Sequence, residues 1–226
     1  MSADTIILVQ GSSDNVKEQK EAWKSHIVLF STWKGSEQNY EDGDMVIFNS
    51  IPEDRGPSNF WMQQVSTLAG LKKVKEMGYE YCLKIRSDLV PTNSHKFLNC
   101  LDKDKLNFLC WHNHEVYPKC SGYLVDYLMF GQIENMIQLW ETQNAFCVVP
   151  EIILTWNYIN NCKCFPKKYF LNYLNEKNDL RWIKRNILLS SYKNIPSFDS
   201  HQKFYFTEQE KHLGESYIDF LGLHKG

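Results

Sequence analysis

The sequence has no surplus of positive charge: 25 lysines and arginines stand against 27 acids, a formal net charge of −2 over 226 residues. Phosphate contacts supply most non-specific affinity for nucleic acid, so a general nucleic-acid role is disfavoured. Nor is there a long hydrophobic run. No stretch approaches the roughly 20 apolar residues that span a bilayer. The opening MSADTIILVQGSSD carries no basic region and only a short apolar run, too little for a secretion signal. These lacks predict no membrane insertion and a cytoplasmic location.

Several fingerprints are missing as well. QGSSD after the first apolar run is not G-x-G-x-x-G, and no G-x-x-x-x-G-K-[ST] occurs, so neither a dinucleotide site nor a P-loop is supported. No C-x-x-C pair exists. The seven cysteines are an odd set, and Cys162 and Cys164 form C-x-C with no second pair, which argues against structural zinc and for reduced thiols. No repeat, low-complexity segment or linker divides the chain, and nothing marks residue 226 as a natural end. Residues 1–226 read as one domain, compatible with a piece of a longer polypeptide.

What is present is an ordinary globular balance, 43% hydrophobic and 23% charged, with aromatics high at 14%. TIILVQG, HIVLFST and DMVIFNS are short apolar runs suited to strands covered on both faces. SDNVKEQKEAWKS lies between the first two, with Ser13 or Asp14 as N-cap and Val16, Ala22 and Trp23 facing inward. Asn59 to Met77 is the clearest helix, with Trp61, Val65, Leu68, Leu71 and Val74 recurring at helical spacing and Gly78 just past its end. A strand over Tyr79–Ile85 follows. Leu106–His112 and Gly122–Gly131 read as strands, IENMIQLWETQ and EIILTWNYINN as helices, and TEQEKHLGESYIDFLG as a terminal helix. The fold class is α/β, with a parallel N-terminal half and a mixed C-terminal half.

Ligands of open α/β sheets bind outside the carboxyl ends of the strands. Those ends are Gln10-Gly11-Ser12-Ser13, Ser31-Thr32-Trp33, Asn49-Ser50 and Arg86-Ser87-Asp88. Hydroxyls, amides, a cation and a carboxylate suit a nucleotide, although turns after strands favour small polar residues anyway. Arg86 and Asp88 share one side of the strand by alternation, so they can pair, or the guanidinium can hold a phosphate bidentately. Asp88 is a candidate ligand for a hard divalent cation; an Asx turn before Pro91 is the plain alternative. Asp126 interrupts the apolar run YLVDYLMF and must be paired or at a site. Glu151 opens a helix, where an acid is favoured by the dipole alone. His112, His114 and Glu115 lie in a polar stretch without specific metal spacing.

The order of the GSS-ended first strand, NFWMQQVSTLAGL, YCLKIRSDLVP, LVDYLMFG and VPEIIL resembles small GT-A-type glycosyltransferases. It is especially similar to the N-terminal transferase domains of chlorella-virus enzymes implicated in capsid-protein glycosylation. More distantly it resembles bacterial lipopolysaccharide-synthesis transferases that carry K-x-R-[ST]-D. The resemblance reaches to about Leu154 and implies a GT-A-like three-layer sandwich around a mostly parallel sheet. It implies a UDP-sugar donor, of the UDP-glucose or UDP-rhamnose type, and a glycan or glycoprotein acceptor in viral capsid glycosylation in the host cytoplasm.

It also implies a D-x-D motif holding Mn²⁺ or Mg²⁺ against the diphosphate. Asp88 falls on the motif's final acid, Arg86 replaces the first, and His201 would complete the metal shell. Gln10, Gly11, Ser12 and Thr32 would lie at the uridine, and Asn59, Gln63 and Lys84, with Arg86 and Ser87, near the diphosphate or sugar. Asp126, then Glu151, would be the carboxylate at the reacting carbon. A nucleotidyltransferase of similar layout and a non-catalytic sugar-nucleotide-binding module are the competing readings.

Overall fold

The computed structural model describes residues 5–91, 106–110 and 124–142, with 94, 98, 101, 103, 150, 151, 153, 154 and 157 and the strand backbones at 170–171 and 180–182. The predicted terminal helix and His112, His114, Glu115 and His201 lie outside the described residues.

The apolar runs become strands because all but the half-buried edge run Met45–Asn49 are covered on both faces, and their period sorts them into layers. β1 is Thr5–Gln10, β2 Val28–Trp33 and β3 Met45–Asn49. β4 is Tyr81–Arg86, β5 Leu89–Pro91, β6 Asn107–Cys110 and β7 Leu124–Gln132, with short β8 at Phe170–Leu171 and β9 at Leu180–Trp182. The main sheet has seven strands in the order β3-β2-β1-β4-β7-β6-β8, and β5 pairs with β9 in a separate ribbon. β1, β2, β3 and β4 are parallel, and β7 alone runs against its neighbours. The α/β class, the parallel N-terminal half and the mixed C-terminal half are as predicted.

Helices lie on both faces. α1 (Val16–Ala22) joins a cluster with Ile7, Val9, Phe30, Leu83 and Ile85, in which Trp23 is fully buried. α2 (Phe60–Glu76) and α3 (Ile133–Trp140) cover the other face over Ile6, Leu8, Leu29, Cys82 and Met129. Each large apolar side chain so buried is worth about 1.5–3 kcal/mol. Cys82 is a free, buried thiol; burial pushes its pKa up, so it is inert.

Two local expectations are corrected. The N-cap of α1 is Asn15, not Ser13 or Asp14; its side chain makes no cap bond and turns inward to donate to the Ser87 carbonyl. The inward face of α2 is rotated from the predicted stripe: Phe60, Ser66, Thr67, Gly70, Leu71 and Val74 are buried, while Trp61 and Leu68 pack at the side. Small residues let the helix lie close on β1; a Cβ at Gly70 would stand 2.4 Å from Leu8 Cδ1. Gly78 ends the helix with φ +83°, the left-handed conformation foreseen for it.

Candidate functional site

The parallel strands end at one rim, and alternation places a row of polar side chains on the α2 face of it. Gln10 is register partner to Ser31 in β2 and to Arg86 in β4. Asn49 Nδ2 donates to Ser31 Oγ at 2.9 Å, and Ser31 Oγ donates to the Ser66 carbonyl of α2 at 2.6 Å. Gln10 Nε2 donates to Ser66 Oγ at 2.8 Å, while its Oε1 is buried without a hydrogen-bond partner among the described residues. Gln63, in the first turns of α2, leaves its Oε1 in the same condition.

The turn after β4 is closed on Gly11. Ser87 N–H donates to the Gln10 carbonyl at 2.8 Å, and a Cβ on Gly11, whose φ is +134°, would lie 2.6 Å from Ser87 Oγ. From the other face, Gln19 of α1 clasps this turn. Its Nε2 donates to the carbonyls of Ser87 at 3.0 Å and Leu89 at 2.8 Å, and its Oε1 accepts from Trp23 Nε1 at 3.0 Å. Asn15 adds a bond to the Ser87 carbonyl at 3.3 Å. Sequence reasoning missed both amides; the signal was a glutamine one turn after Val16, on the face assigned to the core.

Arg86 and Asp88 meet as a fork. Nε donates to Oδ1 at 3.0 Å and Nη2 to Oδ2 at 2.5 Å. Nη1 lies 3.8 Å from Asp126 Oδ2, and the guanidinium carbon stands 4.4 Å from the Tyr127 ring centre. Burial works to lower the Arg86 pKa, but the charges of Asp88 and Asp126 outweigh it and hold it above the ordinary value.

Asp126 reaches the site through an irregularity in β7. β4 pairs with β7 only as far as Leu128, and β6 jumps from Met129 to Val125, so Asp126 and Tyr127 stand in no ladder pair. A bulge of this kind re-aims side chains. Asp126 is 1% exposed, and its Oδ2 has no hydrogen-bond partner among the described residues. Its backbone carbonyl accepts from Lys84 Nζ, and that fully buried ammonium also stands 5.2 Å from the Trp140 ring centre. Burial brings the Lys84 pKa down to about 8 against the pull of Asp126.

Glu151, at the start of a helical segment with Pro150, Ile153 and Leu154, adjoins Asp126. Burial, then the charge of Asp126 and a side-chain hydrogen bond with it, push its pKa up to about 8.

Of the residues singled out in the sequence, Gln10, Gly11, Lys84, Arg86, Ser87, Asp88, Asp126 and Glu151 gather along β1, β4, β7 and the Glu151 segment. Ser12 follows Gly11 and donates to Asp14 at 2.8 Å. Thr32 belongs to the opposite face of the sheet from Gln10, next to Ser36 and the Tyr40 hydroxyl. Asn59 is an exposed residue of φ +62° ahead of α2. Tyr127, unnoticed in the sequence, supplies the ring under Arg86.

Among the described residues no group of three potential ligands for Mn²⁺ or Mg²⁺ occurs, and both Asp88 oxygens accept from the Arg86 fork.

No family model matches the chain, and no curated protein matches it. Among solved structures it is similar to a Desulfovibrio desulfuricans G20 protein described as a nucleotide-diphospho-sugar transferase, at 8% identity and TM-score 0.49, over 72% of this chain and 78% of the other. It is also similar to the galactosyltransferase LgtC in complex with donor and acceptor sugar analogs, at 15% identity and TM-score 0.43, over 66% and 69%. A third is the mannose-1-phosphate geranyltransferase of Thermus thermophilus, at 11% identity and TM-score 0.39, over 67% of each chain. What the site can do chemically rests on this chain's own side chains.

Proposed function

We propose that the protein is a glycosyltransferase that moves a hexose or deoxyhexose from a UDP-sugar, of the UDP-glucose or UDP-rhamnose type, to a glycan or glycoprotein acceptor. One observation carries the reading. At the carboxyl ends of parallel strands, the Arg86 guanidinium lies 3.8 Å from Asp126 and on the strand paired with Gln10, and buried acceptor oxygens of Gln10, Gln63 and Asp126 have no hydrogen-bond partner among the described residues. The cation suits a phosphate, and the orphaned acceptors suit donors such as sugar hydroxyls or the imide of uracil. The resemblance read from the sequence supports UDP as the nucleotide and a capsid glycoprotein as acceptor.

In the reaction, the bond between the anomeric carbon and the diphosphate oxygen breaks, its electron pair staying on the departing UDP. The acceptor oxygen forms the new bond to that carbon and gives up its proton to Asp126, with Glu151 beside it as the other carboxyl of the pair. Arg86 faces the charge that grows on the leaving oxygen.

The test is a panel of UDP- and GDP-sugars, with free nucleotide release measured in the presence and absence of acceptor glycans. Release of UDP from one sugar class is expected, and Asp126→Asn should lower the rate by about 100-fold or more, the usual worth of a general base. Absence of nucleotide release and of UDP binding would overturn the assignment. UDP binding without turnover would favour a sugar-nucleotide-binding module.

A further inference from the structure

We propose that Arg86 takes the place of a divalent cation in this site, so that the nucleotide diphosphate is bound without metal. The inference rests on the nucleotide-sugar reading and concerns how that ligand's charge is met. Geometry first makes Asp88 a poor metal ligand, because the guanidinium engages one carboxylate oxygen with Nε at 3.0 Å and the other with Nη2 at 2.5 Å. A cation at Asp88 would have to displace this charge-assisted pair or sit against the guanidinium's own positive charge.

Exposure then says which group meets a ligand. The side chain of Arg86 is 26% exposed, against 9% for Asp88 and 1% for Asp126. Toward the diphosphate, Asp88 is the support and the guanidinium is the face. Its remaining N–H groups, beyond those in the fork, are left to approach a phosphate. Asp126 3.8 Å behind Nη1 and the Tyr127 ring hold the guanidinium plane in place. That pre-organisation is what a fixed ion would otherwise provide.

The same arrangement explains the departure from D-x-D. An acid at position 86 would crowd Asp126 and Asp88 with like charge, a situation that calls for a divalent ion. An arginine there neutralises both and makes the ion redundant. Lys84 does not share the role, since its ammonium is fully buried on the Asp126 carbonyl.

The experiment titrates the whole chain with UDP and, separately, with uridine, in EDTA and in Mn²⁺, by calorimetry. UDP should bind in EDTA with an affinity within about threefold of that in Mn²⁺, and Arg86→Gln should weaken UDP by about 10-fold or more while leaving uridine unchanged. Asp88→Asn should weaken UDP binding in EDTA by less than Arg86→Gln does, because it loosens the support of the guanidinium and not the phosphate contact. Uridine affinity in each variant reports that the site is still folded. Binding of UDP only with Mn²⁺, or a larger loss in Asp88→Asn than in Arg86→Gln with uridine intact, would overturn this inference and leave the nucleotide-sugar reading standing. Binding of neither ligand under any condition would overturn both.

Discussion

Gln19 is the most informative position outside the charged cluster, because one buried amide fixes the turn that carries Ser87 and Asp88. Replacing it by methionine keeps the volume near that of glutamine and removes every polar contact. Lost would be its bonds to the Ser87 and Leu89 carbonyls at 3.0 and 2.8 Å and the bond from Trp23 Nε1 at 3.0 Å. The contact to the Arg86 carbonyl, at 3.4 Å, is too long to count for much. At about 1 kcal/mol for each good bond, Gln19→Met should cost about 3 kcal/mol. For a chain of this size each kcal/mol moves Tm by about 2–4 °C, so thermal unfolding should shift down by about 6–12 °C. The Ser87 carbonyl keeps Asn15, so the turn should loosen without being lost. UDP titration of the still-folded variant should therefore show weaker binding, which an effect on the α1 core alone would not produce. A Tm within about 1 °C of the parent, with unchanged UDP affinity, would refute the claim that α1 positions this turn.

Gly70→Ala should destabilise the protein by about 1–3 kcal/mol, because the new methyl meets Leu8 Cδ1 at 2.4 Å beneath α2. Chemical denaturation would read it, and a neutral result would mean that the helix does not lie as close to β1 as described. The pH dependence of UDP affinity should fall as pH rises through about 8. Glu151, whose pKa is raised to about 8, gains negative charge there, and Lys84, lowered to about 8, loses positive charge there, so both changes repel the diphosphate. The stability sign follows separately. The contribution from Glu151 is full below its unfolded value near 4.3 and is lost as pH rises through about 8. Calorimetric titration between about pH 6 and 9 tests the binding slope, and Glu151→Gln should flatten it without abolishing the Lys84 share.

Much of the N-terminal half was legible because its signals are local and mutually consistent. Doubly apolar runs in TIILVQ, VLFSTW and YCLKIR can hardly be anything but covered strands, and the strand ends named the rim. The orientation of α2 was not legible, since a hydrophobic stripe marks the largest residues, whereas close packing on β1 selected Ser66, Thr67 and Gly70 for the interface. β5 went unnoticed because a three-residue ribbon partner of β9, far along the chain, leaves no periodicity to read. The acid in YLVDYLMF was visible as an anomaly, but the bulge that re-aims it is a property of pairing with β4 and β6 and cannot be seen in one strand.

Arginine at position 86 carries more meaning in the structure than in the sequence. By alternation alone, Arg86 and Asp88 share one side of an extended strand, and a simple pair between them says little about function. The strand, however, ends at Arg86, and Asp88 belongs to the turn that Gln19 and Gly11 hold from two faces. The fork therefore spans the junction of a rigid sheet and a clamped turn, with Asp126 delivered from the antiparallel strand behind it. A cation so placed keeps two buried carboxylates compensated, and a quarter of its surface still faces outward. That outward face is the part of the guanidinium through which the proposed site would meet a diphosphate.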